Sequence, residues 1–161
     1  MSVKTVLGLD LARKLGYAWM RDNPERDNVG GMEELTGTEA GLGQKCLAFR
    51  LWLAEQLDWR TPDFVSYEAP ILHSTNKHGA GLINSLEGVL LSELEYRGIP
   101  YASVYPSTVK KLVTGSGRAK KPDVVAAVKK RFPMAGVKDD NHADAIAVAL
   151  WAIEQVEIPN D

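Results

Sequence analysis

The stretch VKTVLGLDLARKLGYAWM, residues 3–20, decides the fold, because it has the pattern of two β-strands joined by a short polar turn. Val3–Asp10 predicts the first strand and Leu15–Met20 predicts the second. A polar turn then leads to a third predicted strand over Val29–Leu35. Two successive hairpins are therefore expected to open the fold.

Beyond these hairpins the apolar spacing changes. From about Glu39 to Leu57, apolar residues recur every three or four positions, which predicts an amphipathic helix. The further predicted elements are a strand over Asp63–Tyr67 ending at Glu68, a loop over residues 73–79, a helix over Leu82–Tyr96, a strand over Pro100–Val104, and helices over Val109–Val113, Pro122–Phe132 and Asn141–Gln155. This order predicts an α/β fold with a mixed five-stranded sheet, three strands antiparallel and two parallel, and helices on both faces.

Composition excludes several classes of protein. The 161 residues are 45% hydrophobic and 25% charged, which excludes disordered, collagen-like and coiled-coil chains. Cys46 is the single cysteine, so an internal disulfide and a cysteine-rich zinc site are excluded. No apolar run suits a secretory signal or a membrane span. We expect one domain over residues 1–161, in the reducing cytoplasm, without membrane attachment.

Charge is distributed unevenly along the chain. Eight basic residues and one acid lie between Val104 and Met134, a formal charge of +7 in a chain of net charge −2. The remaining residues are correspondingly acidic. A basic segment on an acidic protein indicates either a solvated helix face or a surface that binds a polyanion.

Acidic residues stand at the ends of two apolar strands, Asp10 after the first strand and Glu68 after the fourth. Neighbouring parallel strands would bring both acids to one edge of the sheet, where ligand sites of α/β folds lie. An acid at a strand end is also a common turn-forming residue, so each one alone has an ordinary structural explanation.

A third acidic group, DDNHAD at residues 139–144, opens the last predicted helix. Asp140 and Asp144 share a helix face if the helix has begun by Asp140. Acids in this position have two explanations: the positive end of the helix dipole stabilises them, or they bind a divalent cation. With Asp10 and Glu68, they could hold two ions about 3.5–4 Å apart, an arrangement that supports phosphodiester hydrolysis.

The residues between these two acids have open roles. His142 could ligate a metal or carry a proton, but it points off the face shared by Asp140 and Asp144, which favours a surface histidine. Asn141 lies closer to that face and could orient a water. Small residues after Asp144 would let the helix lie close to a sheet.

Four stretches of sequence occur in a specific order: GLDLARKLGYAW at residues 8–19, YEAP at 67–70, VYPSTVKKLVTGSGRAKKPDVVAAVKKRF at 104–132 and NHADAIAVALW at 141–151. Their combination resembles the RuvC-type Holliday junction resolvases. The resemblance implies a ribonuclease H-like fold, a homodimer, and cleavage of four-way DNA junctions in recombination and repair. It also implies Mg²⁺ as the cofactor, with Mn²⁺ as a substitute and two ions per active site.

The resemblance assigns roles to particular residues. The first-strand Asp of the family falls on Asp10, its fourth-strand Glu on Glu68 and its last-helix Asp on Asp144. Its loop lysines fall on Lys110 and Lys121. Since basic residues flank a glycine-containing loop that could approach phosphates closely, the predicted DNA-binding residues are Lys110, Lys111, Arg118, Lys120 and Lys121.

The sequence departs from the family pattern at two positions. The usual fourth acidic ligand lies three residues before Asp144, where this chain has Asn141; Asp140 is the candidate replacement. The predicted catalytic and metal-binding set is therefore Asp10, Glu68, Asp140 and Asp144. The family also carries an aromatic residue just after the Glu, where this chain reads APIL at residues 69–72. Ile71 or Leu72 is the candidate wedge between bases.

Other functions fit parts of the pattern. A related nuclease could act on other branched DNA or on RNA, and the Asn141 departure allows a junction-binding module with weakened catalysis. An actin-like or sugar-kinase fragment would need a second domain that 161 residues cannot supply. The wide apolar face of the predicted Leu82–Tyr96 helix is the candidate dimer interface.

Overall fold

The computed structural model describes residues 4–70 and 77–158 of the chain. The elements within these ranges, in chain order, are β1 (Thr5–Asp10), β2 (Lys14–Arg21), β3 (Asn28–Glu34), α1 (Leu42–Trp59), β4 (Phe64–Glu68), α2 (Lys77–Arg97), β5 (Tyr101–Val104), α3 (Pro106–Thr114), α4 (Lys121–Arg131) and α5 (Asp140–Gln155). No helix among them is long and apolar enough to cross a membrane.

The five strands form one mixed sheet in the order β3-β2-β1-β4-β5. The two hairpins make β1, β2 and β3 antiparallel neighbours, whereas β4 and β5 run parallel to β1. Parallel neighbours require crossover connections, which α1 and α2 provide. The predicted arrangement of three antiparallel and two parallel strands is therefore confirmed.

Helices cover both faces of the sheet, as predicted, because residues of β1 alternate between two cores. Val6 belongs to the core beneath α3, α4 and α5, whereas Leu7 and Leu9 belong to the core beneath α1 and α2. All three side chains are fully buried. A strand buried on both faces reads as a continuous apolar run, which explains the sequence VLGL in β1.

The closest helix–sheet contact is between α5 and the first two strands. A Cβ atom added to Gly8 would lie 2.7 Å from the Cβ of Ala149, and one added to Gly16 would overlap the carbonyl oxygen of Asn141. The backbone of α5 therefore touches the sheet where glycine faces alanine. This confirms that the small residues after Asp144 let the helix lie close to the sheet.

Three helices begin three or more residues away from the predicted position. α2 begins at Lys77, inside the predicted loop over 73–79, whose residues 73–76 lie outside the described residues. α3 begins at Pro106, since proline suits the first turn of a helix. α1 begins only at Leu42, because the Gln44 side chain accepts a hydrogen bond from the Gly41 backbone and closes the helix start there.

The apolar face of α2 packs against the core of its own chain. Leu86, Leu90 and Leu94 are fully buried and pack against α1 and the sheet. The width of this face is thus explained by the core, and the dimer interface stays a prediction.

We expect Gly16→Ala to destabilise the protein by about 1–3 kcal/mol, because the new methyl group must displace either β2 or the start of α5. Urea unfolding measures this change. Gly88→Ala is the matched control, since Gly88 is an exposed residue within α2 with nothing within 4 Å of an added Cβ. This control should gain up to about 1 kcal/mol. A Gly16→Ala protein as stable as Gly88→Ala would contradict the close contact.

Candidate metal centre

Three carboxylates meet at the carboxyl end of the central strands. β1 and β4 are parallel neighbours with Leu9 opposite Tyr67, so Asp10 and Glu68 end the two strands side by side. Asp144 joins them from α5. Each side chain offers an oxygen, and these oxygens all lie within 4.8 Å of one another. The topology therefore brings together three acids that are far apart in sequence.

The start of α5 fixes the position of Asp144. Asp139 is the N-cap, and its Oδ1 accepts a hydrogen bond of 2.9 Å from the backbone N–H of His142. Capping of this kind sets the residue at which a helix begins. Because this first turn of the helix rests against Gly16 through the backbone of Asn141, the carboxylate of Asp144 is held over the ends of β1 and β4.

Burial raises the pKa values of all three carboxyls, and repulsion between carboxylates adds to the effect at Asp10 and Asp144. Burial, followed by the charges of Asp144 and Glu68, raises the pKa of Asp10 well above its ordinary value. Burial and the Glu68 charge raise the pKa of Asp144 to about 7. Burial also raises the pKa of Glu68, against the opposing effect of two lysines. Three gathered carboxylates therefore favour either a proton or a cation.

The donor set suits a hard divalent cation. Carboxylate oxygens are ligands that Mg²⁺ and Ca²⁺ prefer, whereas zinc sites commonly use nitrogen and sulfur. A cation would also offset the repulsion that raises the pKa values of Asp10 and Asp144. Asp10, Glu68 and Asp144 are thus the residues that fit a metal ion.

Two lysines border the carboxylates. The charges of Lys110 on α3 and Lys121 at the start of α4 both lower the pKa of Glu68 and of Asp144. The Nζ atom of Lys121 lies 3.1 Å from Oδ2 of Asp140, at the start of α5. Positive side chains therefore stand beside the acids, where they could meet the charge of a phosphate.

Asp140 lies next to the three carboxylates without joining their group. Its hydrogen bond from Lys121 holds its pKa below the usual value, while its charge raises the pKa of Asp144. The predicted fourth ligand is thus engaged by a lysine. Asn141 lies near Asp139, with its Nδ2 atom 3.5 Å from an oxygen of that side chain.

His142 is fully buried, so the expectation of a surface histidine is wrong. Its Nδ1 accepts a hydrogen bond of 3.0 Å from the backbone N–H of Lys138, and its Nε2 faces Gly30 of β3. Burial lowers its pKa, which favours the neutral ring. His142 lies on the face of α5 that is turned toward β3, where Gly30 leaves room for the ring. Helix spacing alone did not reveal this partner.

The remaining predicted DNA-binding residues lie at the surface. Lys111 on α3, and Arg118 and Lys120 on the loop before α4, are exposed. The predicted wedge residues Ile71 and Leu72 lie outside the described residues.

A carboxylate group at the end of a mixed sheet, bordered by lysines, is suited to a metal-dependent nuclease with a ribonuclease H-like fold. Comparisons with known proteins agree. The family described as crossover junction endodeoxyribonuclease RuvC has a model that matches residues 6–152. The chain therefore belongs to the RuvC family of nucleases.

Individual relatives show the extent of the similarity. The RuvC of Ruegeria pomeroyi is 31% identical over 150 residues, covering 90% of this chain and 88% of the relative. The RuvC of Streptomyces coelicolor is 33% identical over 126 residues, covering 78% of this chain and 66% of the relative.

Solved structures share the fold. Thermus thermophilus RuvC in complex with a Holliday junction substrate aligns with a TM-score of 0.76 and 21% identity, covering 91% of each chain. The yeast mitochondrial Holliday junction resolvase Ydc2 aligns with a TM-score of 0.64 and 17% identity, covering 93% of this chain and 78% of Ydc2.

In metal-free buffer we expect the contribution of Asp144 to make stability fall between about pH 4 and pH 7. The pKa of Asp144 is about 7 in the folded chain against an ordinary 3.8. The folded state therefore holds this proton more tightly, and that stabilisation, complete below about pH 4, is lost as the pH rises through about 7.

Asp144→Asn should consequently be more stable than the wild type at pH 8, by about 2–4 kcal/mol, as measured by urea unfolding in EDTA. Added Mg²⁺ should stabilise the wild type more than this variant. Asp27→Asn is the control, because Asp27 is an exposed acid in the turn between β2 and β3. Equal effects of the two substitutions would contradict the assignment.

Proposed function

We propose that this chain is a structure-selective endonuclease that binds four-way DNA junctions as a homodimer and cuts them in recombination and repair. The nuclease acts as one domain over residues 1–161, in the cytoplasm. Asp10, Glu68 and Asp144 hold Mg²⁺, with Mn²⁺ as a substitute and two ions per site. The observation that carries the proposal is the convergence of three carboxylates within 4.8 Å beside two lysines. The junction bound to Thermus thermophilus RuvC supports the choice of substrate.

Hydrolysis places two demands on the chain's own residues: they must hold the metal ions and position the phosphate. When bound, the divalent ions lower the pKa of a water and offset charge on the leaving oxygen. Asp10, Glu68 and Asp144 hold the ions at a fixed place relative to the sheet. Lys110 and Lys121 face the charge of the phosphate and position it. Because these side chains come from strands and helices of the core, the geometry is set before DNA binds.

A homodimer matches the symmetry of the substrate. A four-way junction offers two equivalent strands, and paired cuts require two active sites. A two-fold dimer supplies both sites with one self-complementary interface. Lys111, Arg118 and Lys120, together with Lys110 and Lys121, would then contact phosphates on both halves of the junction.

Replacing any of the three carboxylates by its amide should abolish cleavage while junction binding persists. Asp10→Asn, Glu68→Gln and Asp144→Asn each keep the side-chain shape and remove a ligand charge. We expect cleavage of a labelled synthetic junction in Mg²⁺ to fall by on the order of 10³-fold, since metal-assisted stabilisation is worth several kcal/mol. Gel-shift titration without metal measures binding.

The controls for this experiment are duplex, flap and single-stranded DNA. Equal cleavage of these substrates would indicate the related-nuclease alternative. Tight binding of the junction with no cleavage by the wild type would indicate a binding module. An Asp144→Asn protein that cleaves at the wild-type rate would sink the site assignment.

The role of Asp140 is tested against its neighbour Asp139. We expect Asp140→Asn to slow junction cleavage by about tenfold or more, because the charge beside Lys121 and the metal centre is lost. Asp139→Asn is the matched control, since asparagine also caps helices well.

Titration with Mg²⁺ separates the two roles open to Asp140. A higher Mg²⁺ requirement in Asp140→Asn supports a fourth ligand. An unchanged requirement with slower cleavage supports a role through Lys121. Equal, mild effects of both substitutions would indicate an ordinary helix start.

A further inference from the structure

His142 is a fully buried polar residue in the first turn of α5, next to the metal centre but outside its group of carboxylates. Two hydrogen bonds tie it to the residues before the helix. Its backbone N–H donates to Oδ1 of Asp139, and its Nδ1 accepts a hydrogen bond of 3.0 Å from the backbone N–H of Lys138. The ring therefore takes part in a reciprocal cap, which fixes the residue at which the helix begins.

The far side of the His142 ring faces the sheet. A Cβ atom added to Gly30 of β3 would lie 3.1 Å from Nε2, so the ring rests on the strand where glycine leaves space. Nε2 has no hydrogen-bond partner within the part of the chain that the structure describes. A buried polar atom without a partner is unfavourable, and leucine would fill the same space without one. The advantage of histidine over leucine here is therefore the Nδ1 acceptor.

His142 and Asp144 lie on nearly opposite sides of α5. Successive residues of an α-helix are about 100° apart, so a separation of two residues corresponds to about 200°. The contacts agree with this geometry, since the His142 ring faces β3 whereas the Asp144 carboxylate reaches Glu68 at the end of β4. In the sheet, β2 and β1 lie between those two strands. A contact on one side of the helix can therefore set the position of the acid on the other.

Rotation of α5 about its axis would displace Asp144. A carboxylate about 5 Å from the helix axis moves by about 2 Å when the helix turns by about 20°. Mg²⁺ requires near-octahedral geometry with oxygen ligands at about 2.0–2.1 Å, so a shift of this size removes a ligand from the ion. The backbone contact of Asn141 with Gly16 limits how closely the helix approaches the sheet. The tethered ring of His142 limits its rotation.

We propose that His142 is a positioning residue of the metal centre: its ring, held by the backbone before α5 and resting on β3, fixes the rotation of the helix and thereby places Asp144 against the other two carboxylates. The inference rests on the proposed function and deepens it, because it adds a residue that acts on the metal through Asp144. The contacts that carry it lie within the chain.

The test compares His142→Gln with His142→Leu. Glutamine at the third position of a helix can accept a hydrogen bond from the backbone before the helix, so His142→Gln keeps the acceptor, whereas leucine has a similar volume and no acceptor. Isothermal titration calorimetry measures the binding of Mn²⁺ to each protein without DNA. We expect the dissociation constant to rise about tenfold or more in His142→Leu and to stay within about threefold of the wild type in His142→Gln.

Junction cleavage gives a second readout. The Mg²⁺ concentration for half-maximal cleavage should rise about tenfold in His142→Leu, while the rate at saturating Mg²⁺ stays within about threefold of the wild type, since only the occupancy of the site is affected. Binding of the junction without metal should be unchanged in both variants, because the substituted residue is buried.

Leu150→Ala is the control for a loss of stability alone. Leu150 is also fully buried on α5, about two turns beyond His142. Its replacement should lower the melting temperature at least as much as His142→Leu and leave the Mn²⁺ dissociation constant unchanged. Each titration is run well below the melting temperature of the variant. If His142→Leu does not fold, His142→Ala takes its place with the same expected result, since alanine also lacks the acceptor and favours helix.

Two results would overturn the proposal. The first is a Mn²⁺ dissociation constant shared by His142→Leu and His142→Gln, because the acceptor would then have no effect on the metal. The second is an equal loss of Mn²⁺ affinity in His142→Leu and Leu150→Ala, which would indicate stability alone.

Failure of the proposed function gives a different result. The calorimetric titrations contain no DNA, so they report on the position of the carboxylates independently of the reaction. A wild-type protein that binds Mn²⁺ but leaves the junction uncut rejects the nuclease, while the comparison of His142→Leu with His142→Gln still decides the role of His142.

Discussion

The contact between α5 and the first two strands is the constraint on which the site depends. Gly8 and Gly16 leave no side chain between the sheet and the helix. Ala145 and Ala149 of α5 face Gly8, and the backbone of Asn141 faces Gly16. A side chain on either strand would push the helix outward. Asp144 would then leave the ends of β1 and β4, and the three carboxylates would separate. Tight packing thus sets the distance across which the acids can share a cation.

This packing holds together charges that repel one another. Burial raises the pKa of Asp10 and of Asp144, and the Glu68 charge raises both further. The cost falls on the metal-free chain and is offset when a divalent cation binds. The same carboxylates therefore lower the stability of the metal-free protein and provide its affinity for the ion.

Much of this arrangement was predictable from sequence, and its limits have physical causes. Strand alternation and the hairpin pattern predict the sheet. The closeness of Asp10 and Glu68 follows from the parallel pairing of the two strands that they end. His142 was placed wrongly at the surface, because its burial depends on Gly30, a residue more than 100 positions away. The engagement of Asp140 by Lys121 likewise depends on how α4 meets α5, which helix spacing does not determine.

The charged groups around the centre also bear on where selectivity for branched DNA arises. Lys110 and Lys121 are point charges beside the carboxylates, and such groups act on phosphates that every DNA shares. Under the proposed function, a single copy of the chain therefore recognises the positions of phosphates and does not recognise the bases. Discrimination between a junction and a duplex must then come from the angle between two copies, because only a branched substrate presents its backbones to two fixed sites at once.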